Sequence, residues 1–287
     1  NVGGNVTNAG DLILNGGTLT KAVTGAGTTS ITGAVTANSA ISQTISISSS
    51  GDLTANAGNI GGAVTNAGDL ILTGGTLSKS VSGAGLTTIT GNTTNSAGIN
   101  QGVKVNSGIT LTNNAALGSA SGSVTNAGTI NSSADNIKGT VSNTGSLNLS
   151  GGTLSKAVSG SGKTTITGNT TNSGGINQGV TVNSGVTLTN NAALGSDSGT
   201  ITNSGTINTS ASNIKGAVTN NNTVNLSGGT LSKAISGSGT TNITGIVSSN
   251  SAISQAISIA SAGDLTISAS NVGGNVTNAG DLILNGG

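Results

Sequence analysis

The string GGTL occurs at positions 16–19, 74–77, 151–154 and 228–231, with spacings of 58, 77 and 77. The opening string NVGGNVTNAGDLILNGG recurs unchanged at 271–287, closing a superperiod of 270. Self-similarity on this scale marks a chain built from stacked supersecondary units, none of which buries its apolar face alone. The long and short spacings differ by 19, which is the length of one elementary unit. Long blocks then read as four such units and short blocks as three. The blocks are 6–63, 64–140, 141–217, 218–275 and the start of another at 276–287, forming one repeat-built segment.

Within the blocks, a Val or Ile that opens a short strand recurs at fifteen positions from Val6 to Val276, at intervals of 17, 19, 21 or 22. The phrases that follow are VTNAGDLIL, VTNAGTINS, VSNTGSLNL and ITNSGTINT, or VSGSGKTTIT and its variants. Apolar residues alternate in them, as in Leu70/Leu72, Leu147/Leu149 and Val224/Leu226. That period of two is the pattern of a half-buried strand. Short strands separated by Gly, Asn and Ser corners predict an all-β parallel β-solenoid of about 15 coils, each roughly 17–22 residues long. Each interval is expected to be one coil, with the unequal lengths taken up as longer or shorter corners.

Composition agrees with a thin core. The chain has 50 Gly and no aromatic residue, Pro, Cys, His, Met, Arg or Glu. A solenoid interior is one side chain deep on each wall, which Val, Ile, Leu and Ala can fill. A rounded core of this length ordinarily uses aromatics. Pro is excluded where every interior coil must donate its N–H to the next. The abundance of β-branched residues argues against a disordered chain.

The Asn of the VTN phrase is expected at equivalent corners: Asn8, Asn66, Asn126, Asn143, Asn203, Asn220 and Asn278. There an amide side chain bonds nearby backbone. Where two such phrases follow directly, Asn126 with Asn143 and Asn203 with Asn220 are expected to form short amide ladders.

These coils, built on V/I-T-N-x-G-x-L/I-x-L/N across essentially the whole chain, resemble filamentous-haemagglutinin-type exoproteins and autotransporter passenger domains of bacterial adhesins. The resemblance implies a secreted right-handed β-helix displayed on the bacterial cell surface as a stalk or adhesive fibre. No signal peptide or stretch of about 20 apolar residues is evident.

Few residues carry chemistry. Lacking His, Cys and Glu, the chain has no ordinary transition-metal site or His-based acid/base. With eight Lys against seven Asp, and neither Arg nor aromatics, no nucleic-acid partner is expected. Ala157–Thr164 reads AVSGSGKT, close to a phosphate-binding loop. Such a loop needs a helix after it, whereas the strand-like TTITGNTT follows, so a coil corner is expected. Ser212–Lys215 reads SNIK, but the sister coil has Asp135 in place of the Ser and the companion acyl-transfer motifs are missing. Asp52 with Asp69, and Asp264 with Asp281, stand one coil apart and are the candidates for holding a cation. Two carboxylates fall short of the six or more oxygens that calcium takes, so no metal and no cofactor is expected.

Lys21, Lys79, Lys156 and Lys233 share one repeat position and are expected to form a sparse row that discourages lateral pairing. The expected role is structural: a stiff length of extracellular fibre or adhesin stalk, not an enzyme, with itself as the partner, end to end or within a longer array. The alternative is a glycan- or partner-binding face on the corners 91–102 and 168–179, through Asn100, Gln101, Asn177 and Gln178. A more distant alternative is ice binding by the Thr-rich phrases, which requires a flat lattice repeated on every coil.

Overall fold

The computed structural model describes residues 4–267 and 272–285. The outermost parts of the terminal recurrence (1–3, 271, 286 and 287) lie outside the described residues. The chain divides into two compact units, Asn1–Ser146 and Leu147–Gly287. Each is all-β and winds as a parallel β-solenoid. The helical segments among the described residues are single turns, Ala57–Asn59 and Ala134–Asn136 in the first unit and Ala211–Asn213 in the second.

Turns of the first unit lay a strand or a single bridge on each of three faces, paired in parallel with the turns before and after. On the first face Leu12, Thr29, Ile45, Val64 and Val81 stand in line, continued by Ile99, Leu117 and Ile137. On the second, Gly17, Val35, Leu53, Leu70, Thr87, Val103, Val124 and Val141 do so. The third carries Val6, Val23, Ile41 and Ile60, then Gly75–Leu77, Thr93–Asn95, Thr110–Asn113 and Thr129–Ser132. The second unit repeats the plan, for example in the line Gly152, Thr170, Leu188, Ile207, Val224, Thr241, Ile257 and Val276.

This register corrects the expected coil lengths. Val81 pairs with Val64 on the first face, but Val103 pairs with Thr87 on the second. The long interval from Val81 to Val103 is therefore one turn plus one further face, not one turn with a long corner. The interval from Val23 to Ile45 is of the same kind, since Val23 stands on the third face and Ile45 on the first. Measured between paired residues, a short turn runs from Thr87 to Val103 and a long one from Val103 to Val124.

The repeat phrase therefore changes face. In the first unit it opens on the third face at Val6, on the first at Val64 and on the second at Val141. A short block advances three and a third turns and a long block four and a third. In the second unit Val218 and Val276 likewise lie on different faces.

Inward positions form the core. Leu53, Leu70, Leu72, Ile89, Ile99, Leu117 and Val124 are fully buried, as are Leu188, Leu194, Ile201, Val224 and Ile243 in the second unit. Each fully buried side chain of this kind contributes about 1.5–3 kcal/mol. Aromatic bulk is unnecessary, because a residue on one face meets only its neighbours above, below and across a narrow interior.

Candidate functional site

Five of the seven corner asparagines are buried. Asn66, Asn126 and Asn143 are fully buried, and so are Asn203 and Asn220. Asn126 donates Nδ2 to Asn143 Oδ1 at 2.7 Å, and to the carbonyl of Ser146 at 2.9 Å, while its own Oδ1 accepts from Gly128 N–H. Asn203 and Asn220 are joined in the same way at 2.7 Å. Buried amides of this kind are tolerated because their donors and acceptors are met. At Asn66 the next turn carries Gly83 at the matching position. Gly83 has φ +123°, and a Cβ on it would lie 2.1 Å from the Asn66 carbonyl oxygen. Asn8 is half-buried and Asn278 exposed. The Oδ1 of each accepts from the backbone N–H two positions on, at Gly10 and Gly280.

The glutamines differ from expectation. Gln101 and Gln178 are each 1 % exposed. Gln101 donates to Thr87 Oγ1 at 2.8 Å and Gln178 to Thr164 Oγ1 at 2.6 Å. Gln43 pairs with Thr29, and Gln255 with Thr241, at the same separation along the chain. These four are the glutamines of the chain, and each partner Thr is buried. A threonine hydroxyl facing the core requires a partner, and the amide from the following turn supplies it. Gln101 and Gln178 are therefore not part of an exposed binding face. Asn100 and Asn177 are exposed beside them.

The aspartates meet in register: Asp52 pairs with Asp69, and Asp264 with Asp281. Asp52, Asp69 and Asp281 are exposed. Among the described residues no group of three or more metal-ligating side chains occurs. All of the phosphate-loop look-alike except Ala157 lies within the strand Val158–Ile166, with another strand after it at Thr170–Asn172. A helix N-terminus, the feature that would hold phosphate, does not follow it.

The four lysines do not form a row. In the first unit Lys21 follows the strand Gly17–Leu19 on the second face, and Lys79 follows Gly75–Leu77 on the third. In the second unit Lys233 reaches Asp197 at 2.5 Å. That ammonium holds the Asp197 carboxyl below the usual carboxylate range, through its hydrogen bond first and its charge second. The Thr-rich phrases are also dispersed: Thr28–Ile31 runs on the first face, and the segment 87–89 on the second. Thr29 and Thr87 are fully buried rather than displayed.

The concave features arise from unequal corners. In the first unit Ser82 pairs with Asn100 and Leu86 with Gly102, so residues 83–85 stand over Gln101 alone. One turn later Leu117 and Val124 pair with Ile99 and Val103, so residues 118–123 stand over residues 100–102. A short corner is thus flanked by two longer ones. The result is a cleft of about 270 Å³, with Gln101 and Gly102 as floor and Ser119, Ser121 and Ser123 on one wall. The second unit has the counterpart, one long block further along the chain. Residues 160–162 stand over Gln178, and residues 195–200 over 177–179. That cleft is larger, about 360 Å³. The repeat phrases predict longer corners at 91–102 and 168–179, whereas the register places them at 118–123 and 195–200.

The fold and its inward-facing ladders define a parallel β-solenoid whose polar residues serve the interior as much as the surface. Comparison with protein-family models, curated proteins and solved structures returned no match. Among the described residues no helix is long and apolar enough to cross a membrane.

Proposed function

We propose that the chain is a structural segment of an extracellular bacterial fibre or adhesin stalk and acts there as a stiff spacer. The observation that carries this reading is the change of face from block to block. A surface evolved to grip a flat partner keeps its contacts on one side, in line. Here Lys21 and Lys79, Thr28 and Thr87, and the VTN phrases at Val6, Val64 and Val141 are distributed over different faces. What is kept through the change of face is the inward orientation: Thr29 on the first face and Thr87 on the second are both buried and both paired with a Gln, and Asn66 and Asn126, also on different faces, are both buried. Selection of that pattern favours coil stacking, in which stability comes from nearest-neighbour contacts and length scales with repeat number.

Electron microscopy of proteins with added long blocks tests the reading. Four and a third turns at the inter-strand spacing predict about 21 Å of extra rod per block. Particles that thicken or fold back instead of lengthening would refute the spacer role.

A further inference from the structure

One face of the second unit departs from the dispersal of the repeat phrases. The strands Thr187–Asn190, Thr206–Thr209, Thr223–Leu226 and Thr240–Ile243 lie on four consecutive turns and pair residue for residue, without a bulge. Their outward positions form two columns. Thr187, Thr206, Thr223 and Thr240 make the first, and Thr189, Asn208, Asn225 and Asn242 the second. All eight side chains are half-buried and none is charged. The Thr-rich phrases do not supply such a lattice; alternate residues of successive turns do.

The columns are ordered before anything binds. Threonine is β-branched and stiff at χ1. Asn225 donates Nδ2 to Asn208 Oδ1 at 2.6 Å, and Asn242 donates Nδ2 to Asn225 Oδ1 at 2.8 Å. This ladder fixes the three amides and leaves the second Nδ2 hydrogens of Asn225 and Asn242 outside it. The hydroxyls of Thr187, Thr189, Thr206 and Thr240 engage no other described residue. Groups held in place in this way bind without the ordering cost that long flexible side chains carry.

Spacing and size select the partner. Rows repeat at the inter-strand distance of about 4.8 Å, and the columns stand two residues apart, about 6.6 Å. These repeats lie close to the two axial repeats of hexagonal ice. The patch covers on the order of a few hundred Å², well short of the roughly 800 Å² per partner that a specific protein interface buries. It offers a sugar ring no aromatic surface to stack on. A crystal plane needs only matched positions, and its neutral oxygens suit an array without charge.

We propose that this face of the second unit binds ice, its eight Thr and Asn side chains holding water at lattice positions on the crystal surface. Each hydroxyl both donates to and accepts from lattice oxygens. The assignment is independent of the spacer role, because a rod lengthens block by block whether or not this face meets ice.

The test is the growth of single ice crystals in a millimolar solution of the full chain, read as thermal hysteresis and crystal shape. The chain should arrest growth below the melting point and give faceted crystals. Thr206→Lys and Thr223→Lys place a long charged side chain in the middle of the array, and each should lose the hysteresis. Thr219→Lys, at an exposed position of the adjacent strand Val218–Asn220, should keep it. Ala256 pairs with Thr240 at the end of the first column, and Ser258 with Asn242. Ala256→Thr therefore extends the array by one turn and should raise the hysteresis, a gain that can be read even where a lysine variant fails to fold. Rounded crystals without hysteresis from the unsubstituted chain overturn the assignment. So does hysteresis retained in Thr206→Lys, an equal loss in folded Thr219→Lys, or no gain in folded Ala256→Thr. A dimer that disappears in Thr206→Lys, in a chain without hysteresis, would make the face a self-association surface instead.

Discussion

Asn126 and Asn143 lie one turn apart with their amides inside the solenoid, and the Nδ2 of the first meets the Oδ1 of the second at 2.7 Å. The pair links two turns through side chains in addition to the backbone ladder. Asn126→Ala removes the contact to Asn143 together with the partners of the Ser146 carbonyl and the Gly128 N–H, at a cost of about 1–3 kcal/mol. The midpoint of urea unfolding should fall accordingly. An unchanged midpoint would mean that the ladder contributes nothing beyond the backbone.

The Gln101–Thr87 contact makes a related prediction with a sharper control. Thr87→Val strips one hydrogen-bond partner from a buried amide and should cost about 1–3 kcal/mol. Combined with Gln101→Met, which removes the other half, the loss should be smaller than the sum of the two single changes. Strict additivity in the double-mutant cycle would show that the two side chains act independently.

Gly83 occupies a backbone conformation at φ +123° and faces the Asn66 carbonyl at a distance no Cβ can share. Gly83→Ala should therefore destabilise by roughly 2–3 kcal/mol or more, through strain and displacement of the preceding turn. Gly108 also has positive φ, at +76°, but nothing stands within 4 Å of its Cβ direction. Alanine there should be milder, because it meets the backbone penalty without the collision. Equal thermal shifts for the two variants would contradict this assignment of causes.

The Lys233–Asp197 pair predicts a pH dependence of definite sign. Because Lys233 lowers the Asp197 pKa in the folded chain, the stabilisation is present above the ordinary carboxylate pKa. It is lost as pH falls through the lowered folded value. Lys233→Gln should raise the Asp197 titration midpoint, followed by the side-chain carboxyl carbon signal, and should abolish this contribution at neutral pH. A midpoint that stays where it is in the variant would remove the pair from the account.

What can be read from the chain alone follows from where period and turn coincide. The interval between Val124 and Val141 is one full turn, so the meeting of Asn126 and Asn143 is legible from spacing. The same holds for Asp52 and Asp69. The longer interval from Val81 to Val103 is not one turn, and spacing alone misassigns it. Its excess advances the chain by one face, which takes Val103 off the line of Val81. Gln101 escapes a sequence reading for another reason: an amide is ordinarily an exposed side chain. Its constant separation from a Thr, at 29, 87, 164 and 241 for the four glutamines, is the signal that it turns inward. The paired clefts have no local signal at all, because each is made by differences in corner length between three successive turns.

Alternating Val, Ile and Leu, glycine corners and a near-constant period determine a stacked parallel coil, because these are local properties that every turn states again. Which face a residue occupies, and whether its side chain looks in or out, is decided only when the turns are laid on one another. The stretch from Val103 to Val124 is a longer turn that returns to the same face, whereas the stretch from Val81 to Val103 ends on another, so interval length alone does not separate a longer corner from a change of face; only the pairing of stacked turns does.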